Sequence, residues 1–266
     1  MDSPSPTFVV SDVHGHFDAF AAALHDHDLI DSDHNWVGGA ASLWALGDLF
    51  DRGERGVDVL RLLRTLSQQA SEVGGSVDTL IGNHELLILG SRRFGEQSFE
   101  DSAGNERQFL QWWVINGGFE EEKDLLTEDE VDWLETRHLA VLVEDSLLIH
   151  SDTDGYLGYG STVSEINSTA REALTSLSPE RWWDLFRNLT QRHDFLRDEG
   201  PQRAQSVLEA LGGTQIVHGH STIPDTTGIS PGEVSEPRRY CDDLVLNIDG
   251  GVYQGGRCLI VRLDDQ

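Results

Sequence analysis

Short apolar runs that stop abruptly at polar residues set the layout of the chain. Residues 7–10 (TFVV) are apolar and β-branched and end at Ser11, which reads as a buried strand. Residues 17–27 instead place Phe17, Phe20, Ala21 and Leu24 at helical spacing. Residues 42–46 predict a second strand, 57–66 an amphipathic helix and 77–81 a third strand; an apolar helix follows over about 85–89. Strand and helix alternate, and polar motifs stand where strands end. This predicts an α/β fold, layered, with central sheets flanked by helices and a site at the strand ends.

The middle of the chain is more helical and more acidic. Residues 107–115 carry Phe109, Leu110, Trp112, Trp113 and Ile115 at helical spacing. Thr127, with Glu130 three residues on, resembles a capping box for a helix through Leu134. Residues 139–143 and 146–149 predict a strand pair around Glu144-Asp145. Ser178-Pro179 suits an N-cap and first-turn proline before a helix over 180–189, and 202–211 predicts another, stopped by Gly212-Gly213. Strands return at 214–217, 244–248 and 258–263. No repeat or long linker interrupts the chain, so one domain over 1–266 is expected, with helical insertions at about 91–137 and 152–212. The Ser/Pro-rich opening reads as a loose tail.

Composition removes several classes. Lys plus Arg is 19 and Asp plus Glu is 47, a formal net charge of −28. That argues against a broad basic face, so no nucleic-acid and no membrane partner is expected. Hydrophobic residues at 38% fit a globular chain and not a disordered one. No apolar stretch approaches about 18 residues, so no membrane-spanning helix is predicted. The start has no basic and apolar signal regions, which leads to the expectation of a cytoplasmic location. Cys241 and Cys258 are too few for a disulfide framework and read as incidental thiols.

Candidate chemistry gathers at five strand ends. They are Ser11-Asp12-Val13-His14-Gly15; Gly47-Asp48-Leu49-Phe50-Asp51-Arg52-Gly53; Gly82-Asn83-His84-Glu85; His150 after an apolar run; and His218-Gly219-His220-Ser221. Asp12 and His14, two apart on extended chain, point the same way. A carboxylate oxygen with an imidazole nitrogen suits a divalent ion such as Mn, Fe or Zn. Each motif alone reads as a turn or cap. Their order and spacing together are specific.

The set resembles the calcineurin-like metallophosphoesterases, and within them the phosphoprotein phosphatase branch. That branch includes bacterial and phage Ser/Thr phosphatases and symmetrical diadenosine tetraphosphatases. The G-D-x-x-D-R-G and G-N-H-E motifs carry the resemblance, together with Asn116-Gly117-Gly118 and the ending at 248–256. It covers about residues 8–263. The resemblance implies two divalent metals, with Mn favoured and Fe or Zn as alternatives. Asp12 and His14 would hold the first, Asp48 would bridge, and Asn83, His150 and His220 would complete the second. A metal-bridging hydroxide would attack phosphorus, and His84, hydrogen-bonded by Asp51, would protonate the leaving oxygen. Arg52 would clamp the phosphate. Related enzymes use a second arginine, here Arg192, with Arg197 as the alternative.

Three features depart from the pattern or read more blandly. Ser11 stands where the branch has Gly. Ser151-Asp152 follows His150 where Gly-Gly is usual; Asp152 reads first as a surface carboxylate and second as a group that tunes the metal or restricts the substrate. His218 reads as a packing or outer residue beside His220. The histidines at 16, 25, 27, 34, 138 and 193 read as surface or cap residues, with His16 the one to check. Trp112/Trp113 and Trp182/Trp183 read as core, and Glu120-Glu121-Glu122 as a solvated helix face. The expected function is hydrolysis of phosphate monoesters, with a phosphorylated protein or a small phosphoester as substrate and protein Ser/Thr phosphatase as first reading. Symmetrical diadenosine tetraphosphate hydrolase is the alternative, and a non-catalytic metal-binding regulatory module is the third.

Overall fold

The apolar runs become strands buried on both faces. The computed structural model describes residues 5–265; residues 1–4 of the expected loose tail lie outside the described residues. The strands are β1 (Thr7–Val10), β2 (Ser42–Ala45), β3 (Ser76–Thr79), β4 (Phe99–Glu100), β5 (Glu106–Arg107), β6 (Ala140–Val143), β7 (Ser146–Ile149), β8 (Gln215–His218), β9 (Arg238–Tyr240), β10 (Val245–Asn247) and β11 (Ile260–Arg262). The helices are α1 (Phe17–Asp26), α2 (Gly56–Glu72), α3 (Asn83–Phe94), α4 (Phe109–Ile115), α5 (Glu120–Leu125), α6 (Glu128–Glu135), α7 (Val163–Leu174), α8 (Pro179–Leu189), α9 (Gly200–Leu211) and α10 (Ile223–Thr227).

One sheet runs β11-β1-β2-β3 and a second runs β6-β7-β8-β10-β9, while β4 and β5 form a separate ribbon. The first is parallel except for β11, and β7, β8 and β10 are parallel in the second. Strand alternation splits the apolar side chains between two cores. Val9, Leu148, Val217, Leu246 and Val261 meet between the sheets. Val10, Leu43, Val77, Leu147, Ile149 and Ile216 pack outward among the helices. The result is helix, sheet, sheet, helix. Runs such as TFVV read as continuous because both faces of β1 are covered.

The predicted capping signals hold. Thr127 accepts from the Glu130 N–H and Ser178 from the Arg181 N–H. β6 and β7 pair antiparallel as predicted. Helix α2 runs six residues beyond the predicted 66, because only Ala70 of its polar last turns is buried. Helix α7, capped by Thr162, and the short β4, β5 and β9 were not predicted. Trp113, Trp182 and Trp183 are core, as expected. Glu122 is a correction: it is buried, and its Oε1 accepts the Val57 N–H at 2.9 Å, which caps α2 from α5. Cys241 and Cys258 are free thiols. No helix among the described residues is long and apolar enough to cross a membrane.

The inter-sheet layer is the test of this architecture. Leu148 is fully buried there, so Leu148→Ala is expected to cost about 2–5 kcal/mol in urea unfolding. Leu177, 85% exposed, is expected to tolerate alanine within about 0.5 kcal/mol. Equal costs at the two positions would refute the layer assignment.

Candidate active site

Parallel strands end on one edge, and there each hands its chain to a turn. The turn after β1 carries Asp12 and His14; the turn after β2 carries Asp48, Asp51 and Arg52. The β3 turn opens α3 with Asn83 and His84, while His150 follows β7 and His220 follows β8. All except Arg52 are buried. His14, Asp48, Asp51, Arg52 and His220 hold left-handed backbone, with φ between 47° and 69°. Such backbone costs about 1–3 kcal/mol per residue and persists only where neighbours fix it.

Glu85 supplies much of that fixing. Its carboxylate accepts the N–H groups of Asp48 at 2.8 Å, Leu49 at 2.8 Å and Gly82 at 2.7 Å. It ties the β2 turn to the start of α3. Its place three residues after Gly82, the N3 position of α3, is the sequence signal for this role. Asp12 Oδ1 likewise accepts from Ser11 Oγ at 2.7 Å and from the His220 N–H at 3.0 Å.

Asp48 lies at the centre. Its Oδ1 is 3.5 Å from His150 Nε2 and its Oδ2 is 3.7 Å from His14 Nε2. Ligand atoms of Asp12, Asp48, His150 and His220 lie within 4.8 Å of one another, and so do those of His14, Asp48 and His84. Two donor groups therefore share one carboxylate. By these distances Asp12 groups with His150 and His220. Asp12 also stands 3.8 Å from His14, so it adjoins both groups.

These donors fit divalent cations. His14 Nδ1 donates to the Phe50 carbonyl and His150 Nδ1 to the Leu46 carbonyl, each at 2.9 Å, which leaves a lone pair on each Nε2. Asn83 Oδ1 faces His150 Nε2 at 3.0 Å, two acceptors that a cation would reconcile. Asp48 Oδ2 is buried with no hydrogen-bond partner among the described residues. Burial, with the Asp12 and Glu85 carboxylates, pushes Asp48 well above the usual carboxylate range. Burial pushes His14, His84 and His220 well below the usual imidazole range and lowers His150 too. Neutral imidazoles around a carboxylate short of positive charge are the donors such ions take.

His84 and Asn83 open helix α3 and meet different partners, His84 meeting Asp51 and Asn83 meeting His150. His84 Nδ1 is 2.6 Å from Asp51 Oδ2, and Trp113 Nε1–H donates to Asp51 Oδ1 at 2.6 Å. Burial pushes Asp51 up to about 8, while burial and the Arg52 guanidinium push His84 down. The contact between the two side chains is short and buried. His84 Nε2 faces the donor cluster, 3.2 Å from Arg52 Nη2. A Cβ at Gly118 would overlap the Trp113 indole, and Gly117, at φ 98°, turns its carbonyl to accept the Arg52 N–H at 2.9 Å. The Asn116-Gly117-Gly118 motif therefore seats both Arg52 and Trp113. Tyr253, part of the ending at 248–256, lies under the Arg52 guanidinium at 4.0 Å, a role its place in that motif did not signal.

Arg192 reaches the cluster, with Nη2 2.9 Å from His220 Nε2. Arg197 pairs with Asp194 at 3.1 Å and is exposed. His218 packs as an outer residue, with Nε2 2.8 Å from the Tyr240 hydroxyl. His16 is half-buried and its Nε2 has no hydrogen-bond partner among the described residues. Asp152 corrects the surface reading: it is fully buried, and its carboxylate accepts hydrogen bonds from two other segments of the chain.

A carboxylate in this state should gain from a cation. Mn²⁺ is expected to raise the thermal unfolding midpoint, and Asp48→Asn is expected to abolish most of that rise. An unchanged Mn²⁺ response in Asp48→Asn by scanning fluorimetry would remove Asp48 from the centre of the site.

Comparison with known proteins identifies the family and the fold. The calcineurin-like phosphoesterase family profile matches residues 5–242. Shewanella-like protein phosphatase 2 of Arabidopsis thaliana is 33% identical over 89 residues, 34% of this chain and 23% of that protein. A symmetrical bis(5'-nucleosyl)-tetraphosphatase of Escherichia coli is 36% identical over 83 residues, 31% of this chain and 25% of that one. The matched stretches thus span about a quarter of each of these two relatives. A crystal structure of a cold-active protein-tyrosine phosphatase from a psychrophilic Shewanella shares the fold, with a TM-score of 0.73 at 22% identity, over 98% of this chain and 76% of that one. With residues 5–242 matched, this chain belongs to the calcineurin-like phosphoesterase family.

Proposed function

We propose that the protein is a dinuclear-metal phosphatase that hydrolyses phosphate monoesters, with phosphoserine and phosphothreonine side chains of proteins as its first substrate class. The observation that carries this reading is Asp48 shared by two buried donor groups, one of which includes His84, with two arginines beside them. Asp12, His14 and Asp48 would hold one cation, and Asp48, Asn83, His150 and His220, with Asp12 nearby, would hold the other. When bound, the two divalent cations supply Lewis-acid stabilisation of phosphoryl oxygens and acidify water.

The chain's own residues do the rest. Arg52, held by the Gly117 carbonyl and the Tyr253 ring, offers its fork to two phosphoryl oxygens. Arg192 offers a second clamp beside His220. With substrate bound and Asp51 stabilising the charged ring, His84 takes a second proton on Nε2 from water and gives it to the leaving oxygen. Asp51 accepts from Nδ1, keeps the ring in the orientation this transfer needs and stabilises its charged form; Trp113 keeps Asp51 in place. Arg52 and Arg192 stand ready for an anion inside a chain of net charge −28. That balance favours small or compact phosphoesters over long polyanions.

The related tetraphosphatase motivates a competing reading, symmetrical cleavage of diadenosine tetraphosphate. Purified enzyme with Mn²⁺ should be offered phosphoserine, phosphothreonine and phosphotyrosine peptides beside diadenosine tetraphosphate, with products separated by chromatography. Phosphate release from peptides is expected; ADP from the dinucleotide with intact peptides would replace the reading. His84→Ala is expected to lower kcat by about 10²–10⁴-fold while metal content by mass spectrometry stays at the wild-type level. Loss of metal in that variant would make His84 a ligand instead. Absence of turnover on every substrate would leave the non-catalytic module.

A further inference from the structure

We propose that Asp152 is a positioning residue that aims Arg192 at the phosphate, an inference that rests on the reading of Arg192 as a phosphate clamp. Arg192 belongs to the segment between α8 and α9, far in sequence from both sheets' active-site edge. The next residue, His193, holds left-handed backbone at φ 68°. A non-glycine residue stays there only if neighbours fix it. The His193 side chain does not supply this, since its Nε2 is buried with no hydrogen-bond partner among the described residues.

Asp152 supplies it. Its Oδ2 accepts the His193 N–H at 2.8 Å, and its backbone carbonyl accepts the Asp194 N–H at 3.0 Å. The neighbouring Thr153 Oγ1 donates to Asp194 Oδ2 at 2.5 Å. Three hydrogen bonds thus clamp the two residues that follow Arg192 onto the turn that follows His150. The other carboxylate oxygen, Oδ1, accepts from Ser221 Oγ at 2.5 Å. Ser221 directly follows His220, the imidazole that Arg192 touches. One buried carboxylate therefore joins the turn after His150, the turn after His220 and the Arg192 segment. Glycine in its place would leave the His193 N–H and the Ser221 hydroxyl without these acceptors. The carboxylate that replaces a small residue after His150 fixes a long arginine arm instead of touching the reacting atoms.

The test is a double-mutant cycle. Phosphomonoester kinetics, and competitive inhibition by inorganic phosphate, should be measured for Arg192→Ala, Asp152→Ala and the double variant. Misplacing a clamp through its support costs about 10–100-fold. Asp152→Ala and Arg192→Ala are each expected to lower kcat/KM and weaken phosphate inhibition within this range. The double variant is expected to be no worse than Arg192→Ala alone. Asp152→Asn, which keeps one acceptor for the His193 N–H, should recover part of the loss. It also serves, with Ser221→Ala, if Asp152→Ala does not fold. Losses that multiply in the double variant would overturn the positioning role while leaving Arg192 as a clamp. A silent Arg192→Ala would overturn the clamp itself, and with it this proposal. An Asp152→Ala that lowers the Mn²⁺-induced thermal shift with unchanged phosphate inhibition would assign Asp152 to the metal instead.

Discussion

Burying the Asp48 carboxylate between two sheets is the constraint on which the rest of the site depends. Asp12, Asp48, Glu85 and Asp249 are all buried in this region, and an uncompensated buried carboxylate costs several kcal/mol. Glu85 escapes the problem by taking three backbone N–H groups. Asp12 takes one hydroxyl and one N–H. Asp48 is left with an open oxygen, as is Asp249, whose carboxyl burial and Asp12 push well above its ordinary range. The protein surrounds this deficit with neutral imidazoles, and their exposed lone pairs deepen the call for a cation. Stability and chemistry are thus one electrostatic arrangement seen from two sides.

The fold makes such an arrangement tolerable by separating rigid from strained parts. Apolar residues of β1, β7, β8, β10 and β11 fill the space between the sheets and hold the strand ends at fixed positions. Strain is confined to the turns that follow, where five site residues adopt left-handed backbone. Each strained turn is pinned by a hydrogen bond from another turn, so no ligand is set by its own segment alone. Neither sheet could form the site by itself: Asp12 and Asp48 come from one, His150 and His220 from the other.

What the sequence disclosed follows from range. Strand ends, helix caps and the metal-ligand motifs are local, and a strand with a following turn announces itself within a few residues. The spacing of D-x-H, G-D-x-x-D-R-G and G-N-H-E therefore brought Asp12, His14, Asp48, Asp51, Arg52, Asn83 and His84 to attention together. The supports were not legible because they act across the chain. Trp113 reaches Asp51 over 62 positions, Glu122 reaches Val57 over 65, and Asp152 reaches Ser221 over 69. Trp113 was legible as core and not as a hydrogen-bond donor, because packing and donation use different atoms of one ring. Asp152 and Glu122 looked solvated because an isolated carboxylate in sequence carries no sign of the N–H groups that will meet it. Arg192 could be separated from Arg197 only once Asp194 was seen to occupy the latter.

The His220 N–H closes onto Asp12 across 208 positions of chain. At a synthesis rate of about 5–20 residues per second, His220 leaves the ribosome about 10–40 s after Asp12. For that interval the first sheet carries Asp12 and Asp48 without the imidazoles of the second, and the four-ligand group cannot assemble. That group is therefore completed only in the last part of translation, while His14, Asp48 and His84 are all present in the first half of the chain.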